Sequence, residues 1–184
     1  MRGDKIVGIF QTKNGREVVV KIAGPEDVEG ILKIIRERRK ERAIREKEPI
    51  QELTNAEKGW WANIANLNPG ILVLTVNLGR EVVGQVTICR DKDYYDTVLV
   101  YSLDVLPRCR SNGLARILIT CAILEAKDSL GAKQIELWAT VQNIHAVNLY
   151  KSLAFQQKGE ILRQVPDKKW NRQPADRINM IRQL

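Results

Sequence analysis

The segment from Val105 to Ala115, with the sequence VLPRCRSNGLA, has a composition that suits the binding of an anion. It follows a predicted strand and precedes an apolar stretch with helical spacing, so its end should open a helix. The first N–H groups of a helix lack intrahelical acceptors and lie at the positive end of the helix dipole. Gly113 allows close approach to the backbone, and Arg108 and Arg110 can bind phosphate oxygens. Pyrophosphate is the ligand that this combination favours.

The same segment lacks the glycine patterns of two common nucleotide sites. It contains neither G-x-x-x-x-G-K-[ST] nor G-x-G-x-x-G, which argues against nucleotide hydrolysis and dinucleotide redox chemistry. The pattern that remains is R-x-x-G-x-A, from Arg110 to Ala115, and by itself it also fits a capped loop with exposed arginines. A second segment, from Asn143 to Phe155, supplies the context, because it leads from a strand end through a predicted helix into another strand.

These two segments together resemble the GNAT superfamily of acyl-CoA-dependent N-acyltransferases. That family shows V-x-P-x-x-R-G-x-G-[IL]-[GA] at a strand-to-helix loop, followed by L-x-V-x-x-x-N-x-x-A-[IV]-x-L-Y-x-x-x-G-F. The matching residues are Val105, Pro107, Arg110, Gly113, Leu114 and Ala115 in the first pattern, and Leu137, Asn143, Ala146, Val147, Leu149, Tyr150 and Phe155 in the second. Ser111 and Ala154 replace family glycines, and Ala154 should be strained if its turn requires a positive φ. The tail is similar to that of acetyltransferases acting on amino-acid or protein N-terminal amines.

The resemblance implies transfer of an acetyl group from acetyl-CoA directly to a primary amine of a small molecule, an amino acid or a protein N-terminus. The backbone of Leu103 and Val105 would then pair with the pantetheine arm like an added strand. Asn143 would hydrogen-bond the same arm, or cap its helix, or do both. The residues implied in pyrophosphate binding are Arg108, Cys109, Arg110, Ser111, Asn112, Gly113, Leu114 and Ala115.

The family match also suggests catalytic roles. Tyr150 stands where the family often places a tyrosine near the thioester sulfur, so it would act as the general acid; the alternative is a tyrosine that only packs. The general base is not identified by the match. Asp104 is the acid nearest to the expected bulge of the central strand, while Tyr101, Glu136 and a water chain are alternatives. His145 is expected to be exposed.

The elements that position these residues follow from hydrophobic spacing and turn signals. They predict an α/β (α+β) protein with a mixed central sheet of about seven strands flanked by about four helices, and the resemblance implies that this is the GNAT fold. We expect one domain over residues 1–184, with 1–17 as an N-terminal hairpin extension. One predicted helix starts at Pro25, and the other three span Asn55–Ala65, Ser111–Leu130 and Asn143–Leu153. The predicted strands are Val18–Ile22, Ile71–Val76, Glu81–Cys89, Thr97–Val105, Lys133–Val141, Phe155–Arg163 and Arg177–Arg182.

Composition limits the location of the protein and its need for metals. The chain has 184 residues, and none of its apolar runs approaches the ~20 residues needed to span a bilayer. Its first residues lack the features of a signal peptide, so a cytoplasmic protein without membrane contact is expected. Its three cysteines form no C-x-x-C pair and it has a single histidine, so we expect no metal.

The net charge of +8 is unevenly distributed, because residues 33–47 hold eight bases and three acids. This gives one alternative function, a basic module that binds nucleic acid, although we expect nucleic acid not to be a partner. A second alternative is a domain that senses acyl-CoA without turnover. The family places acceptor specificity at Arg36–Trp61 and Val165–Pro174, and the basic character of both suggests an acceptor with a carboxylate or an acidic peptide. Family members often form homodimers, and the sequence leaves the oligomeric state open.

Overall fold

The computed structural model describes residues 5–47, 49–65, 68–167 and 172–184. These residues form nine strands and four helices, which confirms the predicted mixed sheet and its helices. In chain order they are β1 (Ile6–Gln11), β2 (Glu17–Ile22), α1 (Val28–Glu46), α2 (Asn55–Ala65), β3 (Ile71–Leu78), β4 (Glu81–Arg90), β5 (Thr97–Val105), α3 (Leu114–Asp128), β6 (Gln134–Thr140), α4 (Ile144–Ser152), β7 (Gln156–Gln157), β8 (Leu162–Asp167) and β9 (Arg172–Gln183).

The prediction of about seven strands was too low, and the largest difference lies in the tail. The predicted strand Phe155–Arg163 is two strands, β7 and β8, because Gly159 at φ +71° turns the backbone between them. The last strand begins at Arg172 instead of Arg177, since its first residues pair with β8. Tail strands separated by only four residues, 158–161, are hard to divide from hydrophobic spacing alone.

The chain divides into two compact units, of which the first comprises Met1–Cys89 and Tyr101–Leu124. Its strands β1, β2, β3 and β4 pair in that order, each antiparallel to the next. α1 follows a 3₁₀ turn at Pro25–Asp27 and buries Ile31, Leu32 and Ile35. The side chains that are almost fully buried in this unit include Val18, Val20, Ile31, Ile34, Leu74, Val76, Val86, Ile88, Leu118 and Ile119.

The second unit comprises Arg90–Val100 and Glu125–Leu184. The first half of β5 pairs in parallel with β6, from Thr97 opposite Gln134 to Val100 opposite Leu137. β9 pairs antiparallel with β6, and β7 and β8 both pair with β9. Ile135, Leu137, Phe155 and Met180 are buried there.

Two residues in place of family glycines adopt the left-handed conformation. Ser111 has φ +64° and Ala154 has φ +62°. Ala154 therefore has the positive φ at which strain was expected. A left-handed conformation costs a residue with a Cβ atom about 1–2 kcal/mol. The turn at Ala154 is held nonetheless, because the N–H of Phe155 donates to the carbonyl of Tyr150 at 3.1 Å. In the described part of the chain, no helix is both long and apolar enough to cross a bilayer.

Candidate functional site

The predicted anion loop connects β5 to α3. After Val105 the chain makes a 3₁₀ turn, in which the N–H of Cys109 donates to the carbonyl of Leu106 at 2.8 Å. The helix was predicted to begin at Ser111, but it begins at Leu114, because Ser111 and Gly113 are left-handed. The loop therefore extends up to the first turn of α3.

Five consecutive backbone N–H groups, from Ser111 to Ala115, donate to no acceptor among the described residues. Ser111 (φ +64°) and Gly113 (φ +86°) are left-handed on either side of Asn112, and successive N–H groups in such turns commonly form a concavity that binds anions. The Asn112 side chain holds the loop closed by donating to the carbonyl of Arg110 at 3.2 Å. Such a concavity at a helix N-terminus suits the oxygens of a phosphate or pyrophosphate.

Both arginines of the loop form ion pairs with carboxylates that are distant in sequence. Arg110 donates to the two carboxylate oxygens of Glu41 at 2.5 and 2.7 Å. Arg108 donates to Glu81 at 2.5 Å, and Lys33 donates to the same carboxylate. The hydrogen bond from Arg108, then that from Lys33, lowers the pKa of Glu81 to about 2. These pairs are exposed and therefore worth little, so a phosphate can replace the carboxylates at small cost.

The end of β5 presents backbone groups along one edge. The N–H of Leu106 donates to the carbonyl of Val83 on β4 at 2.9 Å. Because successive residues of a strand point their backbone groups to opposite edges, those of Leu103 and Val105 face away from β4. The carbonyl of Val105 also accepts a hydrogen bond from Nε of Arg110 at 3.3 Å. This is the backbone edge at which an extended ligand would add as a strand.

Asp104, the candidate base, is buried on β5 and strongly hydrogen-bonded. One guanidinium nitrogen of Arg38 donates to its two carboxylate oxygens at 2.9 and 3.1 Å. Nε2 of Gln85 donates to one of the same oxygens at 2.8 Å and to the hydroxyl of Ser102 at 2.9 Å. Both oxygens of this carboxylate therefore already accept hydrogen bonds from side chains of the same chain.

The remaining candidate residues lie in the second unit, in or next to α4 and on β6. Asn143 is the N-cap of α4, with its Oδ1 accepting from the N–H of Ala146 at 3.2 Å, so the capping interpretation is confirmed. Tyr150 is buried, and its ring meets that of Phe155 edge-on at 5.8 Å between centroids. His145 is exposed, as expected. Glu136, a weaker candidate for the base, is buried and accepts hydrogen bonds from Lys158 and Asn179.

The basic segment at residues 33–47 is largely neutralised by carboxylates of the same chain. Arg39, for example, pairs with Glu57 at 2.5 Å. Burial raises the pKa of Glu57, but hydrogen bonds from the N–H of Thr54 and from Arg39 outweigh it, so the net shift is downward. The further ion pairs of this segment are Lys33–Glu81, Arg36–Glu29, Arg38–Asp104 and Lys40–Glu37. This pairing reduces the positive charge that nucleic-acid phosphates would contact.

Known proteins resemble this chain in sequence and in fold. The model of the acetyltransferase (GNAT) family matches residues 32–155, and no curated protein matches the sequence. The fold is similar to a putative acetyltransferase from Salmonella typhimurium, solved with its cofactor acetyl-CoA (TM-score 0.70, 22% identity, 91% of this chain and 94% of that one).

Two other solved structures have a similar fold. One is the ribosomal-protein-S18-alanine N-acetyltransferase from Escherichia coli (TM-score 0.66, 18% identity, 89% of this chain and 92% of that one). The other is a variant of spermidine N-acetyltransferase from Vibrio cholerae (TM-score 0.69, 17% identity, 90% and 93%). The family model covers more than half of the sequence and includes both motif segments. The chain therefore belongs to the acetyltransferase (GNAT) family and is an acyltransferase.

Proposed function

We propose that this chain transfers an acetyl group from acetyl-CoA directly to a primary amine. The observation that carries the proposal is the row of five N–H groups from Ser111 to Ala115 at the start of α3, which have no acceptor among the described residues and suit the oxygens of a pyrophosphate. Acetyl-CoA would supply the acetyl group as a thioester. Membership of the family supports this donor, as does the similar fold of the Salmonella typhimurium protein solved with acetyl-CoA.

In this proposal the loop residues bind the pyrophosphate through their backbone, and the two arginines add side-chain contacts. Arg108 and Arg110 would exchange Glu81 and Glu41 for phosphate oxygens, since a guanidinium binds either group in the same bidentate geometry. The backbone N–H groups of Ser111, Asn112, Gly113, Leu114 and Ala115 would bind the pyrophosphate, whereas those of Cys109 and Arg110, expected to bind it too, already donate to the carbonyls of Leu106 and Pro107. The backbone of Leu103 and Val105 would hydrogen-bond the pantetheine arm.

Asn143 and Tyr150, in the second unit, also have proposed roles. Asn143 uses its carbonyl oxygen as a helix cap, which leaves its amide nitrogen to donate to the pantetheine arm. Tyr150 would donate a proton to the thiolate as that group leaves. A buried phenol suits this role, because it is normally protonated at neutral pH.

The proposed acceptor is an amine of a small molecule, an amino acid or a protein N-terminus. Two similar structures carry the names of alanine and spermidine N-acetyltransferases, and both names describe amine acceptors. The expectation of an acidic acceptor depended on Arg36–Trp61 and Val165–Pro174. Part of the second segment, residues 168–171, lies outside the described residues, and many bases of the first are paired with carboxylates of this chain.

The geometry of Asp104 favours a positioning role over that of general base. We expect Asp104→Asn to lower the free energy of unfolding by about 1–3 kcal/mol, because Arg38 would lose its ion-pair partner in a partly buried position. Urea denaturation measures this loss, and Arg38→Gln is the matched variant that should cost a similar amount. The acidic limb of the pH profile of kcat should remain. Its disappearance in Asp104→Asn, with the limb intact in Arg38→Gln, would show that Asp104 is the base.

A thermal-shift experiment tests the proposed donor. The panel is acetyl-CoA, CoA, desulfo-CoA, NAD and a short DNA duplex, each at two salt concentrations. A ligand at about 100-fold its Kd adds ~2.7 kcal/mol of stability, so the three CoA compounds should raise the midpoint clearly. No response to any CoA compound would disprove the proposal, and a DNA response that fades in salt would favour a basic binding module. Binding without turnover of any amine would favour a sensor.

A further inference from the structure

The turn between β1 and β2 lies against the anion loop. The backbone N–H of Lys13 donates to the carbonyl of Asn112 at 3.1 Å. A Cβ atom placed on Gly113 would lie 3.6 Å from Cγ of Lys13 and 4.0 Å from its Cε. The Lys13 side chain therefore crosses over the glycine at which an anion would approach the backbone.

This turn holds the backbone of Lys13 in place on both sides. The hydroxyl of Thr12 accepts from the N–H of Arg16 at 2.9 Å and lies 2.6 Å from Oδ1 of Asn14. The N–H of Gly15 closes the turn on the carbonyl of Thr12 at 3.0 Å. An ammonium group carried on an ordered turn loses less conformational entropy when it binds a ligand.

Lys13 also differs from the other cations at the loop in its ion pairing. Arg108 and Arg110 each pair with a carboxylate, whereas Lys13 is exposed and pairs with none of the described carboxylates. Its ammonium group can thus reach a ligand without first leaving an ion pair. An exposed lysine whose side chain passes beside Gly113 adds positive charge next to the N–H donors of the loop.

From these contacts we propose that Lys13, on the turn between β1 and β2, is a phosphate-binding residue of the acetyl-CoA site. The inference depends on the proposed function, because it takes the phosphate to be that of coenzyme A. Acetyl-CoA carries a pyrophosphate and a separate 3′-phosphate. The position of Cε beside Gly113 favours the pyrophosphate.

Isothermal titration calorimetry of the full chain tests this proposal. Lys13→Gln should weaken acetyl-CoA binding about five- to twenty-fold, as expected when one charged donor is lost at an exposed phosphate contact. Lys13→Arg should restore most of the affinity. Arg16→Gln is the matched control, because it removes one charge from the same turn. We expect the same loss for dephospho-CoA, which lacks the 3′-phosphate and keeps the pyrophosphate.

The outcomes separate this inference from the proposed function. Failure of the wild-type chain to bind acetyl-CoA would disprove the proposed function, and this inference with it. Tight binding by the wild type with equal affinities for Lys13→Gln and Arg16→Gln would overturn the role of Lys13 alone. Tighter binding by Lys13→Gln would also overturn it, because the side chain would then obstruct the loop. A loss seen with acetyl-CoA but not with dephospho-CoA would support phosphate binding and assign Lys13 to the 3′-phosphate.

Discussion

Gly113→Glu is expected to weaken acetyl-CoA binding on the order of 100-fold or more, the largest effect on affinity predicted for this chain. The new carboxylate would stand at the concavity formed by the N–H groups from Ser111 to Ala115. There it would repel a pyrophosphate and compete with it for the same donors. The substitution also places a Cβ atom at φ +86°, a conformation that costs a residue other than glycine about 1–2 kcal/mol.

A matched variant separates repulsion from backbone strain. Gly131 follows α3 at φ +61°, with no atom within 4 Å of the position of its Cβ, so Gly131→Glu adds the same charge with similar strain. Calorimetry should show the loss of acetyl-CoA affinity only for Gly113→Glu, while urea denaturation should show comparable destabilisation of both. Intact affinity in a folded Gly113→Glu protein would mean that the phosphate loop lies elsewhere.

The phosphate loop could be located from the sequence because its signals are local. A strand end, a helix start and a glycine between them lie within the eleven residues from Val105 to Ala115. The backbone conformation of such a segment depends mainly on its own residues, and Gly113 does adopt the left-handed conformation that glycine permits. Ser111 is the exception, because a serine gives no signal for a positive φ, and for this reason the start of the helix was misplaced by three residues.

The partners of the charged residues could not be predicted in the same way. Arg110 pairs with Glu41 across 69 positions, and Arg38 pairs with Asp104 across 66. Such pairs depend on the packing of α1 beside β5, and no spacing rule connects residues so far apart in sequence. The approach of Lys13 to Gly113 is non-local too, since it requires the β1–β2 turn to reach the loop before α3.

Tyr150→Phe is expected to lower kcat about 100-fold or more and to leave the affinity for acetyl-CoA unchanged, because only the proton donor is removed. The aromatic ring is retained, and its edge-on contact with Phe155 at 5.8 Å should hold it in place. Steady-state kinetics with calorimetry of acetyl-CoA binding measures the two effects separately. If the phenol donates the proton, the basic limb of the pH profile of kcat should also disappear in the variant.

Phe155→Leu is the control that separates proton donation from the position of the ring. It removes the edge-on contact but keeps the hydroxyl of Tyr150, so it should reduce stability by about 1 kcal/mol and leave the shape of the pH profile intact. If both variants lowered kcat equally with the same pH profile, Tyr150 would have only a packing role. A loss confined to Tyr150→Phe can come only from the hydroxyl, since the ring and its neighbour are present in that variant.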